Sequence, residues 1–174
     1  KEFINDIKER LEQKDFKVLK SELSQLHHVD IAALIEELGE EQGKTLFELF
    51  EDQDSAEILI ELDDENREVV LEDLTSQEIA EELIENLDSD DAADIISDLT
   101  TAKKVEVLSH IEDIEHASDI VDLLSYPENT AGGLMAKELI QVNDKRSVLR
   151  CVKEMHKQAE DVDRVYTIYV VNDH

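Results

Sequence analysis

A large apolar residue recurs every 12 or 13 positions from Leu38 onward, and this spacing limits what the chain can fold into. The recurring residues are Leu38, Phe50, Leu62, Leu74, Leu87, Leu99, Ile111 and Leu124. Most are followed by a polar break, "DD" at 63–64, "TS" at 75–76, "DSDD" at 88–91, "TT" at 100–101 and "ED" at 112–113. Such residues are typical helix N-caps, because their side-chain oxygens accept from free backbone N–H groups. The pattern predicts helices of about 8 to 10 residues joined by short turns.

The predicted helices resemble one another. Four of them read "DIAALIEEL" (30–38), "DSAEILIEL" (54–62), "EIAEELIENL" (78–87) and "DAADIISDL" (91–99). Helices this short are marginal alone, because nucleation is costly and few hydrogen bonds follow it. They must therefore stack on their neighbours, as in an α-solenoid. We predict a mainly α fold, a superhelical stack of short helices over residues 1–124, with two helices in 1–26 capping it.

The charge of the chain excludes several partners. It has 46 acidic against 17 basic residues, a formal net charge of -29 at pH 7. Nucleic acid is excluded, because a phosphate backbone needs Lys and Arg, and an anionic lipid surface is disfavoured for the same reason. The charge favours a cation or a basic protein, although a solvated acidic surface is the simpler explanation. The single Cys151 and the lack of a long apolar run predict a soluble chain of cytoplasmic character.

The sequence pattern changes near residue 125. The segment "ELIQV" is a strand candidate, "SVLRCVKEMHK" has a helical apolar face, and "VYTIYVV" (165–171) is typical of a buried strand. This order predicts the start of an α/β domain over 137–174, which these residues do not complete. Residues 125–136 form a predicted linker or hinge, because Pro127 cannot sit inside a helix and the Gly132–Gly133 pair admits unusual backbone angles.

One acidic segment is a candidate metal site. In "LDSDDAADIISDL" (87–99), the carboxylates of Asp90, Asp94 and Asp98 fall on one helical face. The opposite face is apolar and consists of Ala92, Ile95, Ile96 and Leu99. Carboxylates that repel one another would be stabilised by a hard divalent ion such as Mg²⁺ or Ca²⁺. The alternative is that Asp90 or Asp91 caps the helix and the other carboxylates are solvated.

Catalytic motifs are absent from the sequence. The six histidines have no zinc-site spacing, and the chain has no G-x-S-x-G, Walker or G-x-G-x-x-G motif. No nucleophile can be assigned a nearby base. We therefore expect a protein that is not an enzyme.

The segment "LLSYPENTAGGLMAKELIQV" resembles the signature of MgtE-type magnesium transporters, L-x-Y-x-E-x-(T/S)-A-G-G-x-M. The matching residues are Tyr126, Glu128, Thr130, Ala131, Gly132, Gly133 and Met135. The "DDAADI" segment at 90–95 is similar to a pattern of that family's N domain. The segment "MAKELIQVNDKRSVLRCVKEM" looks like the opening of a first cystathionine-β-synthase (CBS) motif.

The resemblance implies a function and a set of ligands. It implies the cytosolic, Mg²⁺-sensing part of a dimeric channel at the cytoplasmic face of the membrane, where bound Mg²⁺ favours the closed pore. The implied partners are the rest of the CBS pair and the transmembrane domain of the same chain. Apart from the resemblance, Ca²⁺ or Mn²⁺ could replace Mg²⁺ as the bound ion. The implied Mg²⁺ ligands are Asp90 and Asp94, with Asp91 adjacent, Glu57 of "SAEIL", and the carbonyl of Gly133.

Two other functions remain open at this point. An acidic helical scaffold could dock a basic partner protein through its charged face. A CBS-type sensor of adenosine nucleotides is the second alternative, since complete CBS pairs often bind such ligands.

Overall fold

The computed structural model describes residues 2–127, 129–159, 165 and 167–172. Helices dominate these residues as far as Leu123, and a small parallel sheet with one helix follows. The predicted fold class, mainly α with short helices and then a small α/β segment, is confirmed. Glu128 of the sequence motif and residues 160–164, 166 and 173–174 of the predicted α/β segment lie outside the described residues.

Helix positions follow the predicted spacing. The helices before the sheet are α1 (Glu2–Glu12), α2 (Phe16–Leu23), α3 (His28–Leu38), α4 (Glu40–Phe47), α5 (Asp52–Glu61), α6 (Asp64–Asp73), α7 (Ser76–Glu78), α8 (Ser89–Asp98), α9 (Thr101–His110) and α10 (Ile114–Leu123). The segment after α7 continues as a π-helical turn at Ile79–Leu83 and a 3-10 turn at Ile84–Asn86. Each predicted helix end lies within one residue of the observed end, except Phe50, because α4 already stops at Phe47.

Side-chain caps explain why several helices begin where they do. Asp63 accepts a hydrogen bond from the Asn66 backbone N–H at 2.8 Å at the start of α6. Thr75 and Glu78 form a reciprocal capping box at the start of α7. Thr100 accepts from the backbone N–H of Lys103 at α9. These contacts confirm the predicted N-caps at 63, 75 and 100.

The capping box makes part of the stability depend on pH. The hydrogen bond from the Thr75 backbone N–H to the Glu78 carboxylate is the main cause that lowers the pKa of Glu78 below its ordinary value of 4.5. A lowered folded-state pKa gives stability that is present above the unfolded-state pKa and is lost as the pH falls. We expect the free energy of unfolding to fall less steeply below pH 4.5 in Glu78→Gln than in the parent.

Urea denaturation at a series of acid pH values measures this slope. Glu37→Gln is the matched control, because Glu37 is an exposed Glu of α3 outside any cap. Equal slopes for Glu78→Gln and Glu37→Gln would show that the capping box does not titrate in this way.

The chain divides into two compact units, which we describe separately. The helical unit comprises Lys1–Leu87 with Asp94–Ala117, and the strand unit comprises Asp88–Ala93 with Ser118–His174. The predicted division at residues 124 and 136 stays a prediction.

The core of the helical unit is mostly aliphatic, as expected for a chain without Trp, and also contains Phe47 and Phe50. Helix α3 packs against both α4 and α5. The most deeply buried side chains include Ile31, Ile35, Leu46, Ile58, Leu59 and Ile79. Each buried side chain of this kind stabilises the fold by about 1.5–3 kcal/mol. This shared core holds helices that would be marginal alone.

Basic side chains close the carboxyl ends of several short helices in the helical unit. Arg67 donates to backbone carbonyls at the end of α5. The Nζ of Lys103 donates to the carbonyl of Leu71 near the end of α6, and the Nζ of Lys104 donates to the carbonyl of Ser97 near the end of α8, both at 2.6 Å. We call these three residues the cation caps. They add donors for carbonyls at the ends of these helices, where the regular intrahelical pattern runs out of N–H partners.

The strand unit contains the predicted β–α–β order. Strand β1 (Ile140–Asn143) pairs in parallel with β2 (Ile168–Val171), with Ile140 opposite Ile168, and α11 (Val148–Gln158) connects them. The prediction of a buried second strand is wrong, because all four residues of β2 are exposed and Val170 is 68% exposed. Pairing with β1 satisfies one backbone edge of β2, whereas α11 packs against β1.

Helix length bears on membrane insertion. The longest helices in the described part of the chain have 11 residues, and none has the length and apolar composition needed to cross a bilayer.

Candidate metal centre

The amino end of α8 is held by a side chain far along the sequence. The backbone N–H of Ser89 donates to Oε1 of Glu138, and the Ser89 hydroxyl donates to Oε2, both at 2.9 Å. Ser89 is fully buried, at 0% exposure. The Lys137 backbone N–H donates in turn to the Ser89 hydroxyl at 3.4 Å. Glu138 therefore provides acceptors at the start of α8 from a position 49 residues later.

Two aspartates bring their carboxylates close to Glu138. One carboxylate oxygen from each of Asp88, Asp90 and Glu138 lies within 4.8 Å of the other two, and all three residues are partly buried. We call this group the acidic trio. Within the described residues, no other group of three His, Cys, Asp or Glu side chains comes this close together. Like charges at this distance repel one another, so a cation between them would be stabilising.

The donor set of the acidic trio fits a hard divalent cation. Mg²⁺ and Ca²⁺ prefer carboxylate oxygens, and Mg²⁺ usually keeps several water ligands besides one or two carboxylates. Both oxygens of Glu138 already accept from Ser89, but each carboxylate oxygen has a second lone pair that can face an ion. The start of α8 favours negative charge, because the amino end of a helix carries a partial positive charge.

Only one of the five predicted ligands belongs to the acidic trio, namely Asp90. Asp91 lies in the first turn of α8 and is partly buried, while Asp94 is exposed one turn later. Both also interact with other residues of the protein. Metal ligation by Asp91 and Asp94 stays a prediction.

The other two predicted ligands lie in different surroundings. Glu57 is on α5, with its Oε2 at 3.8 Å from Nδ1 of His28. The other ring nitrogen of His28 is 3.3 Å from Oδ1 of Asp54. Gly133 lies in the turn after Pro127, and its N–H donates to the Thr130 hydroxyl at 3.2 Å. Metal ligation by Glu57 and by the Gly133 carbonyl stays a prediction.

The predicted row of three aspartates on α8 is not a row of equivalent carboxylates. The carboxylate of Asp98 pairs with Nη1 of Arg67 at 3.2 Å, so its charge is already compensated. Sequence reasoning also missed Asp88 and Glu138. Asp88 precedes the helix and falls off its periodic face, and no local pattern connects Glu138 to α8.

The segment between α10 and β1 positions Glu138. A Cβ on Gly132 would lie 2.5 Å from the Tyr126 ring, so a glycine is needed where that ring packs on the turn. Lys137 forms an ion pair with Asp122 of α10. This hydrogen-bonded carboxylate is the main cause that raises the pKa of Lys137 above its ordinary value. These contacts anchor the residues on both sides of the predicted hinge.

Comparisons with known proteins find matches over most of the chain. A family model described as the MgtE intracellular N domain matches residues 26–129. The crystal structure of the soluble part of a magnesium transporter superposes with a TM-score of 0.79, at 21% identity, covering 99% of this chain and 67% of that one. The cytosolic domain of the Mg²⁺ channel MgtE in complex with ATP gives a TM-score of 0.83, at 27% identity, covering 98% and 69%. No curated protein sequence matches the chain.

Proposed function

Because the chain belongs to the MgtE intracellular N domain family, as the match over residues 26–129 shows, we propose that it is the Mg²⁺-sensing regulatory region of a magnesium transporter. The observation that carries this proposal is the acidic trio of Asp88, Asp90 and Glu138. The proposal places the chain on the cytoplasmic face of a membrane and gives it no catalytic role.

Ion binding would act on the strand unit through charge. The acidic trio joins the first residues of α8 to the segment just before β1, so a bound Mg²⁺ would offset the repulsion between these two parts. A ligand favours the conformation that it binds better, and Mg²⁺ would therefore favour the arrangement that keeps the carboxylates together. In the transporter, that arrangement would correspond to the closed pore. Glu57, Asp91, Asp94 and the Gly133 carbonyl are proposed as further ligands, completed by other parts of the protein.

The exposed apolar residues of the strand unit are the basis for proposing further partners. Val148 and Leu149 of α11 are 80% and 72% exposed, and β2 is exposed along its length. Large apolar side chains exposed on both elements are what an interaction site requires. We propose that the rest of a CBS pair covers it, followed by a transmembrane domain, in a homodimeric protein.

Removing carboxylates from the acidic trio tests the sensor proposal. We expect Asp88→Asn combined with Asp90→Asn to weaken Mg²⁺ binding by about tenfold or more, because two of three hard oxygen ligands lose their charge. Isothermal titration at constant ionic strength measures the affinity, with Ca²⁺ and Mn²⁺ as competitors.

The control for this double variant is Asp30→Asn. Asp30 is an exposed aspartate of α3, far in sequence from the acidic trio. It should leave the affinity unchanged. Equal Mg²⁺ affinity in the parent, the control and the double variant would contradict the proposal that this site senses Mg²⁺.

A nucleotide-sensing role is the second candidate. The similar MgtE cytosolic domain was crystallised in complex with ATP, which supports ATP as a ligand of a completed CBS pair. An ATP titration in the presence and absence of Mg²⁺ distinguishes the nucleotide-sensing role from the Mg²⁺-sensing role. If the ATP affinity is the same in the parent and in the Asp88→Asn/Asp90→Asn variant, the nucleotide is recognised outside the acidic trio.

A further inference from the structure

The helical unit contains a groove between α6 and the α8–α9 turn. Its volume is about 330 Å³, which is at the lower end of the range for small-molecule pockets. Leu71 and Leu99 provide apolar surface in it. Its remaining lining is polar and charged, from α6 on one side and from residues 98–103 on the other.

Two of the cation caps, Arg67 and Lys103, extend from one wall of this groove to the other. Nη1 of Arg67 lies 3.2 Å from the Asp98 carboxylate, and Nζ of Lys103 donates to the Leu71 carbonyl. Both cations are thus directed at partners in the walls. The groove is lined by four carboxylates against these two cations, which leaves an excess of two negative charges.

The remaining carboxylates form a regular row. Asp64, Glu68 and Glu72 follow one another at intervals of four along α6, so neighbouring Cβ atoms are about 5–6 Å apart on one face. None of the three forms a hydrogen bond or ion pair with another described residue. Like charges at this spacing repel, and a ligand that brings two positive charges would relieve the repulsion.

The spacing of the row argues against an inorganic ion. In the part of the chain that the structure describes, only the acidic trio places three ligand oxygens within 4.8 Å of one another. The row along α6 is therefore too open to surround one metal ion. The apolar surface of Leu71 and Leu99 is equally unsuited to a hydrated divalent cation, which requires oxygen ligands.

We propose that this groove binds a linear aliphatic diamine. Its two ammonium groups match the excess of two negative charges and pair with successive carboxylates of the row, Glu68 and Glu72. Its methylene chain covers Leu71 and Leu99, where apolar contact replaces water. This site lies in the helical unit and is independent of the Mg²⁺ proposal.

A titration with diaminobutane at constant ionic strength tests the groove. We expect saturable shifts of the methyl resonances of Leu71 and Leu99 in NMR spectra of the full chain. Glu68→Gln combined with Glu72→Gln should weaken binding roughly fivefold, because two exposed ion pairs are lost. Glu61→Gln combined with Glu65→Gln is the matched control, with the same change of charge on exposed residues outside the groove. The control pair should bind like the parent.

Several results would overturn the proposal. Unchanged leucine methyl resonances in the parent would show that the groove is not occupied. Equal weakening in the two double variants would show that the net charge of the chain, rather than this row, attracts the amine. Equal shifts with butylamine or with Mg²⁺ would show that a second ammonium group is not recognised. Circular dichroism establishes that each variant keeps the parent helix content.

Discussion

Replacing Arg67 with Met is expected to lower the free energy of unfolding of the helical unit by about 3 kcal/mol. Nε of Arg67 donates to the Leu59 carbonyl at 3.3 Å, and Nη2 donates to the carbonyls of Ile60 and Leu62 at 3.2 and 2.9 Å. The side chain is only 16% exposed, so water cannot easily replace it. Met retains much of the apolar stem but has no donor, so the carbonyls of Ile60 and Leu62 lose this partner. The Leu59 carbonyl keeps the hydrogen bond from the Leu62 backbone N–H. Urea denaturation followed by circular dichroism measures the loss.

Two further substitutions separate the roles of Arg67. Arg67→Lys keeps the charge but has one ammonium group in place of the planar guanidinium. Its free energy of unfolding should therefore lie between those of the parent and of Arg67→Met. Asp98→Asn removes only the ion pair to a half-exposed carboxylate and should cost no more than about 1 kcal/mol. If Arg67→Met proved as stable as Asp98→Asn, the carbonyl contacts would not be what stabilises α5.

Gly43→Ala is expected to destabilise the helical unit by about 2 kcal/mol, although Ala ordinarily stabilises a helix by about 1 kcal/mol relative to Gly. A Cβ at Gly43 would lie 2.6 Å from the carbonyl oxygen of Ile35 and 3.1 Å from its Cγ2. The oxygen belongs to the backbone of α3, so relief requires α3 and α4 to move apart. Because Gly43 and Ile35 are both buried, that movement would disturb the core.

Urea denaturation of the variant against the parent measures this effect. Glu41→Ala is the control, because it places a methyl side chain at an exposed position of the same helix and should change the stability by no more than about 0.5 kcal/mol. A Gly43→Ala protein more stable than the parent would mean that helix propensity outweighs the contact between α3 and α4.

Local features of this fold could be predicted from the sequence. Helix ends were predictable because each depends on a few neighbouring residues, an apolar residue that closes the turn and a polar residue that caps the next helix. Asp63, Thr75 and Thr100 act within three residues of their own positions. The π-helical turn at Ile79–Leu83 could not be predicted from this periodicity, because the sequence there continues the apolar pattern of an ordinary helix.

The candidate metal centre could be predicted only in part. Asp90 was found from the helical pattern and the family resemblance, whereas Asp88 and Glu138 depend on how the segment before β1 folds back. Asp98 looked equivalent to Asp90 on the helix, but its contact with Arg67 involves a residue 31 positions earlier. The exposure of β2 could not be predicted from its composition either, since β-branched residues indicate a strand without showing what covers it.

The pairing of Ser89 with Glu138 has a consequence for how the protein is made. Synthesis proceeds from the amino end, so α8 leaves the ribosome 49 residues before the side chain that accepts its first N–H. Until Glu138 has been synthesised, the Ser89 N–H can only donate its hydrogen bond to water. A fragment ending at Leu124 would keep this disadvantage permanently, because Glu138 is missing from it. Experiments on such a shortened chain would therefore start from a less stable first turn of α8.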